Sequence, residues 1–391
     1  MFPITPRMQQ VGSPPITEVK RWVAGRTFSD HRPLVDMCQA VPDYPPAPGM
    51  RQYLQKLVAR PEVAMYSPDE GLKEVRAEVA SWYARRYCGA PSAENICLSI
   101  GASQAFWLAM LLVAEAGDEV IVQVPAYFDH PMALDTLGIK PVFVPATADG
   151  GSDIDAIALH VTSRTRALVV VTPSNPTGRV LSVAEVEELY QCASAHNVAL
   201  VLDETYNAFL PPDQEPHHLF SKPDWGKNFI HLASFGKTFA ITGYRAGALI
   251  AGEELIRQAL KIQDSMVVCQ PRITQGALAW GCRNLDSWVA YNAERMRERH
   301  DTFRALFEGV QHPFELCASG AFFAWVRHPW TGLDSWQVAR LLADQAGLIC
   351  LPGDAFGPGQ QRYLRLAFGN LNCEDMPAAV KRFSTICPPH G

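Results

Sequence analysis

The 391-residue chain has no Cys-x-x-Cys pair, no His/Cys cluster at zinc-ligand spacing, no Gly-x-Gly-x-x-Gly after an apolar run and no Walker-type loop. A structural zinc site and a plain nucleotide-binding enzyme are therefore disfavoured. Positive charge is not in surplus: 34 Lys and Arg stand against 40 Asp and Glu, a net charge of −6, with both signs scattered. Nucleic acids and anionic membranes reward clustered Lys and Arg, so neither is an expected partner. Long apolar runs are also missing. The stretch Ala105 to Ala114 falls far short of the about 18 to 20 residues that a spanning helix needs. Met1 to Pro15 has neither the basic start nor the apolar run of a secretory leader, and the ten cysteines read as reduced thiols of a cytoplasmic protein.

What is present is an ordered globular chain: 48% of residues are hydrophobic, 19% charged and 10% aromatic. The length exceeds the usual single domain of about 150 residues, so two unequal domains are expected. Residues 1–49 are rich in Pro and Gly and read as an extended arm plus part of a small domain. Residues 50–285 are expected to form the large domain and 286–391 the small one.

Five short apolar runs without polar alternation read as strands buried on both faces: Glu119 to Val124, Pro141 to Val144, Ala167 to Val171, Val198 to Leu202 and Phe229 to Ala233. Helical patterns interleave with them over Asp69 to Tyr87, Ser103 to Glu115, Ser182 to His196, Glu253 to Asp264 and Leu285 to Phe307. Ser182 and Glu185 have capping-box spacing. The pattern predicts an α/β fold with a mostly parallel sheet flanked by helices. After Phe307, strands over Ala321 to Val326, Leu348 to Leu351 and Tyr363 to Leu366 around a helix from Ser335 to Ala346 predict a smaller α+β domain built from both chain ends.

The chemistry-bearing residues follow strand ends, where open α/β sheets bind ligands. Lys237, just past Phe229 to Ala233, is a candidate nucleophile if burial lowers its pKa, and otherwise a solvated loop lysine. Asp203 and Tyr206 follow another strand; alone, Asp-x-x-Tyr also fits an N-cap with a packed tyrosine. Gly101, Ala102 and Ser103 open an apolar helix after the strand Ile96 to Ser99. Together with Ser234 and Arg245 they could seat a phosphate, or form an ordinary capped helix. Tyr127 could stack on a planar ring or simply pack. Asn175 precedes Pro176, whose peptide bond could be cis and aim the amide into the crevice; a polar turn is the alternative. Arg365 sits in an apolar strand and needs an anion, either a substrate carboxylate or a protein ion pair.

In combination, Asn175-Pro-Thr-Gly178, Asp203-Glu-Thr-Tyr206 and Ser234-Phe-Gly-Lys237, with Arg245 eight residues beyond the lysine, resemble the class I and II aminotransferases of the aspartate aminotransferase type. The resemblance runs from about Leu34 to the C-terminal region. It implies the fold-type-I architecture with a seven-stranded-type sheet, pyridoxal 5'-phosphate as cofactor, and transfer of an amino group from an L-amino acid to a 2-oxo acid by a ping-pong mechanism. It further implies that Lys237 forms the internal aldimine, Asp203 pairs with the pyridine nitrogen, Tyr206 and Asn175 contact the ring oxygen, and Tyr127 stacks on the ring. Gly101, Ala102, Ser103, Ser234 and Arg245 would cup the phosphate, Arg365 would grip the substrate carboxylate, and Tyr66 would reach the phosphate of a neighbouring subunit in a homodimer. Ala40 stands in the substrate segment where glycine is usual, and Gly236 precedes the lysine where serine or alanine is common. The same cofactor residues could serve a β-eliminating lyase or, less readily, a ligand sensor. For the substrate side chain, Tyr44, Trp107, Met266 and, for a second carboxylate, Arg272 are candidates.

Overall fold

The computed structural model describes residues 2–29 and 31–387. Its centre is a seven-stranded sheet made of β1 (Ile96–Ile100), β2 (Glu119–Val124), β3 (Lys140–Pro145), β4 (Thr165–Val171), β5 (Ala199–Asp203), β6 (Phe229–Ser234) and β7 (Ala246–Ile250), in spatial order β1-β7-β6-β5-β4-β2-β3. All neighbours are parallel except β7, which runs antiparallel to both β1 and β6. β1 to β6 therefore end at one edge of the sheet, and β7 begins there.

Successive strand residues enter different cores, because side chains alternate between sheet faces. Leu168, Val170, Leu200 and Leu202 join one core with the helices Lys73–Ala84, Val183–Ala195 and Arg272–Asn284. Ala167, Val169, Val201 and Ile230 join the other, against Gly101–Val113 and Glu253–Val267. Burial on both faces is why these strands read as uninterrupted apolar runs. The helix Val183–Ala195 begins as its sequence predicts: the Ser182 hydroxyl accepts from Glu185 N–H, and Glu185 Oε2 accepts from Ser182 N–H at 2.8 Å.

A four-stranded antiparallel sheet holds β8 (Glu315–Gly320), β9 (Phe323–Arg327), β10 (Leu351–Pro352) and β11 (Tyr363–Ala367), in the order β10-β11-β9-β8. Its core takes Val35 and Met37 from the beginning of the chain alongside Phe303, Leu364 and Phe383 from the end. Val35–Asp36 pairs in parallel with Leu348–Ile349.

The segment 1–49 departs from the expected extended arm. It contains the helices Pro6–Gln10 and Pro15–Val23, and Pro48 opens a third, Pro48–Leu57. Each starts with proline in its first turn, where the missing N–H costs nothing and the fixed φ suits a helix. Among the described residues no helix is long and apolar enough to cross a membrane.

Candidate active site

The edge where β1 to β6 end carries a cavity of about 460 Å³, within the range of about 300–1,000 Å³ common for small-molecule sites. Gly101, Ala102 and Ser103 reach it from the end of β1, Tyr127 from the end of β2, Asn175 from β4, Asp203 and Tyr206 from β5, and Ser234 and Lys237 from β6. Arg245 comes from the start of antiparallel β7. The one reversed strand of this sheet thus brings the residue just before it to the edge where the others bring residues at or just past their ends.

Lys237 lies in the one-turn helix Phe235–Thr238, and its Nζ donates to the Ala40 carbonyl at 2.6 Å. Burial, reinforced by the Arg365 and Arg245 cations, lowers its pKa to about 8. Desolvation disfavours an ammonium and the two guanidinium groups repel it, so a substantial share of neutral amine is available near neutrality. The backbone at Ala40, marked by the sequence as a departure, is therefore the lysine's hydrogen-bond acceptor. At Gly236 a Cβ would meet Thr242 Cα at 3.3 Å, a tight fit that suits the glycine found there.

Asp203 is 3% exposed. Burial alone would raise its pKa, but His130 Nε2 at 3.2 Å and the Thr205 hydroxyl at 2.7 Å, with Thr205 N–H at 3.0 Å, overcome that and hold the carboxyl below its ordinary value. An ionised carboxylate therefore faces the cavity. His130 is itself stacked on Phe106, with ring centroids 4.2 Å apart. Burial raises the Tyr206 pKa, so its hydroxyl stays protonated.

Gly101 adopts φ +76, and a Cβ there would lie 2.6 Å from Arg245 Nη2. This is a cradle that a methyl group would fill, at the N-terminus of the helix Gly101–Val113 with the Ser103 and Ser234 side chains beside it. Free N–H groups, hydroxyls and a guanidinium suit a phosphate. Gly101→Ala is expected to push Arg245 aside, strain the backbone and weaken binding of a phosphorylated ligand by about tenfold or more, read by equilibrium titration.

Arg365 is 1% exposed. It donates to Asn175 Oδ1 at 3.2 Å and to the Cys38 carbonyl, both neutral oxygens, while its Nε has no partner. The protein ion pair considered as its alternative fate does not form among the described residues.

Several candidate residues lie outside this cavity. Tyr66, expected to reach a neighbouring subunit rather than this chain's own site, is 77% exposed. Arg272 donates to the carbonyls of Glu62 at 3.1 Å and Tyr66 at 2.6 Å, so its guanidinium braces that segment. Tyr44 packs edge-on against Trp288 in the small-sheet core, and Met266 sits at the surface beside Gln104. Of the three candidate side-chain contacts, only Trp107 lines the cavity. The cis peptide bonds are at Val124–Pro125 and Thr172–Pro173, not before Pro176; Asn175 reaches the crevice regardless. Sequence reasoning missed Asp129, His130 and Thr205. Asp129 accepts from the Tyr127 hydroxyl. The available signal was position: a carboxylate and an imidazole two and three residues beyond Tyr127, past the same strand end.

A pocket at the carboxyl edge of a doubly covered, mostly parallel sheet marks an open α/β protein with a ligand site where that class binds its ligands. Residues 32–383 match the family of aminotransferase class I and II. The chain belongs to that family and is an aminotransferase. It is 29% identical to an aspartate aminotransferase of Pyrococcus abyssi, over 88% of this chain and 89% of that one. It is 28% identical to aromatic-amino-acid aminotransferase 2 of Thermococcus litoralis, over 92% and 95%. The crystal structure of an aromatic aminotransferase from Pyrococcus horikoshii OT3 superposes with a TM-score of 0.84 at 26% identity, covering 94% of this chain and 97% of that one.

Proposed function

We propose that the protein uses pyridoxal 5'-phosphate to move the α-amino group of an L-amino acid to a 2-oxo acid in a ping-pong cycle. The observation that carries this reading is the convergence of a partly neutral amine, an ionised carboxylate and an anion cradle on one cavity of about 460 Å³. When bound, the cofactor supplies an aldehyde for amine exchange and a ring that withdraws electrons from the substrate α-carbon. Asp203 would hold the ring nitrogen, Asn175 and Tyr206 the ring oxygen, Tyr127 the ring face, and Gly101, Ala102, Ser103, Ser234 and Arg245 the phosphate.

Lys237 has two tasks. Its Nζ would be the amine that holds the cofactor aldehyde, and the same nitrogen, when free and neutral, would take the proton from the substrate α-carbon. Arg365 binds the α-carboxylate, giving its buried charge the anion it lacks in the chain. Tyr66, on the segment that Arg272 braces, faces outward, and in a homodimer it would reach the neighbouring phosphate.

A panel of L-amino acids assayed against one 2-oxo acid tests the reading. Each accepted donor should yield its 2-oxo acid together with an equal amount of the new amino acid. Free ammonia in place of the new amino acid would refute transfer and indicate elimination.

The lysine also predicts a pH profile. With its pKa lowered to about 8, the fraction of neutral amine rises about tenfold per pH unit below that value and levels off above it. The rate of cofactor capture by cofactor-free enzyme, followed by stopped-flow absorbance, is expected to trace that curve. A rate flat across it would contradict the assignment.

A further inference from the structure

Directly behind the Asp203 turn lies a buried polar cluster that this mechanism leaves unused. Glu204 is 3% exposed, and its Oε2 accepts from the Tyr87 hydroxyl at 2.7 Å. The same hydroxyl accepts from Asn207 Nδ2 at 2.9 Å. The ring nitrogens His231 Nδ1 and His217 Nε2 face the same carboxylate oxygen at 3.2 and 3.5 Å without hydrogen-bond alignment. Tyr83 Oη lies 2.7 Å from His231 Nε2.

We infer that Tyr87, Glu204 and Asn207 form a side-chain clasp that positions Thr205 and Tyr206 for the cofactor, an inference that rests on the function proposed above. Glu204 and Asn207 flank those two residues, and both flanks are tied to one hydroxyl on the segment that follows the helix Lys73–Ala84. Thr205 donates to Asp203, and Tyr206 lines the cavity, so the clasp spans the part of the turn that faces the ring.

Proton placement gives the clasp its direction. Burial opposes ionisation of Glu204, but His217, His231 and Tyr87 outweigh it and its pKa falls below the ordinary value. An ionised carboxylate only accepts, so the Tyr87 hydroxyl must spend its one proton on Glu204 and receive from Asn207. Reversing either bond would leave two acceptors facing each other.

Glu204, His217 and His231 also bring their donor atoms within 4.8 Å of one another, a spacing open to a metal ion. Leu219 N–H, however, donates to His217 Nδ1 at 3.1 Å, which occupies that lone pair and leaves Nε2 as the nitrogen that carries a ring proton. The His217 nitrogen aimed at Glu204 therefore has no lone pair to give a cation, which leaves the group one ligand short.

Packing does not replace the clasp. A cavity of about 250 Å³ on its outer side, lined by Arg86, Tyr87, Asn207, Leu210 and Val289, leaves Asn207 room to swing once the hydroxyl is removed.

The test compares Tyr87→Phe and Asn207→Ala with Tyr83→Phe, which removes a hydroxyl one bond further out. In the cofactor-loaded enzyme the two clasp variants should lose about 10- to 100-fold in kcat, the scale of a small misplacement of reacting groups. They should also shift the midpoint of the bound chromophore's pH titration, whereas Tyr83→Phe should do neither to a comparable extent. Hydrogen exchange of the 203–209 peptide in cofactor-free protein should accelerate in the clasp variants alone. Wild-type kcat and an unshifted midpoint in either correctly folded clasp variant would overturn the inference, even if exchange rises, because the clasp would then be structural only. Should wild-type protein bind no pyridoxal phosphate, the functional reading fails, and the exchange comparison still reports whether the clasp orders the turn.

Discussion

Lys237→Ala is expected to lower kcat by more than about 10⁴-fold, because in the proposed mechanism one side chain supplies both the anchoring amine and the base that moves the α-proton. The loss should persist at saturating pyridoxal phosphate, which separates catalysis from retention of the cofactor. Folding should not suffer. In the native protein the amine titrates near pH 8, well below an unfolded lysine. The folded state therefore carries a disfavoured cation below about pH 8, and cofactor-free stability rises with pH between the folded and unfolded pKa values, where the unfolded chain binds more protons. Removing the side chain abolishes that penalty, so cofactor-free Lys237→Ala should melt no lower than wild type at neutral pH. Substantial single-turnover amino transfer by the saturated variant would refute the role of Lys237 as base.

Asp203→Asn is the second large effect. His130 and Thr205 hold this carboxylate ionised despite burial. An amide keeps the shape but removes the charge, and it presents an N–H₂ group toward donors that now serve an acceptor. A loss of about 10²- to 10³-fold in kcat is expected, the scale for removing a preorganised electrostatic contact. Changes in KM should be smaller, since the substrate carboxylate is assigned to Arg365. Steady-state kinetics at saturating cofactor check this; a variant that changes KM alone would place Asp203 in substrate binding instead.

The sheet edge explains why so much of the site was legible. Asp203, Ser234 and Asn175 each stand at or just beyond an apolar run, and parallel strands bring such positions together however far apart they lie in sequence. The least legible strand was Ala246–Ile250: short, begun by the three small residues Ala246, Gly247 and Ala248, and with Gly243 and Gly252 nearby, it carries a turn-like composition. That strand nevertheless reverses direction and delivers Arg245. The N-terminal segment differs from the extended arm its composition suggests because proline, besides breaking helices, is a favoured first-turn residue, as at Pro6, Pro15 and Pro48. Tyr44 and Met266 show a different limit: an apolar residue carries no sign of which cavity or core it will enter, and these two entered neither side of the active-site cavity. Buried partners such as His130, His217 and His231 were not foreseen, since their pairing with Asp203 and Glu204 is made across elements distant in the chain.

Borohydride reduction of the pyridoxal-phosphate-loaded protein, followed by peptide mass spectrometry, probes the central claim most directly. A single phosphopyridoxyl adduct on Lys237 is predicted, with loss of the visible chromophore and of activity in parallel. An adduct confined to another lysine, or protein that stays colourless and unlabelled after incubation with the aldehyde, would contradict the account.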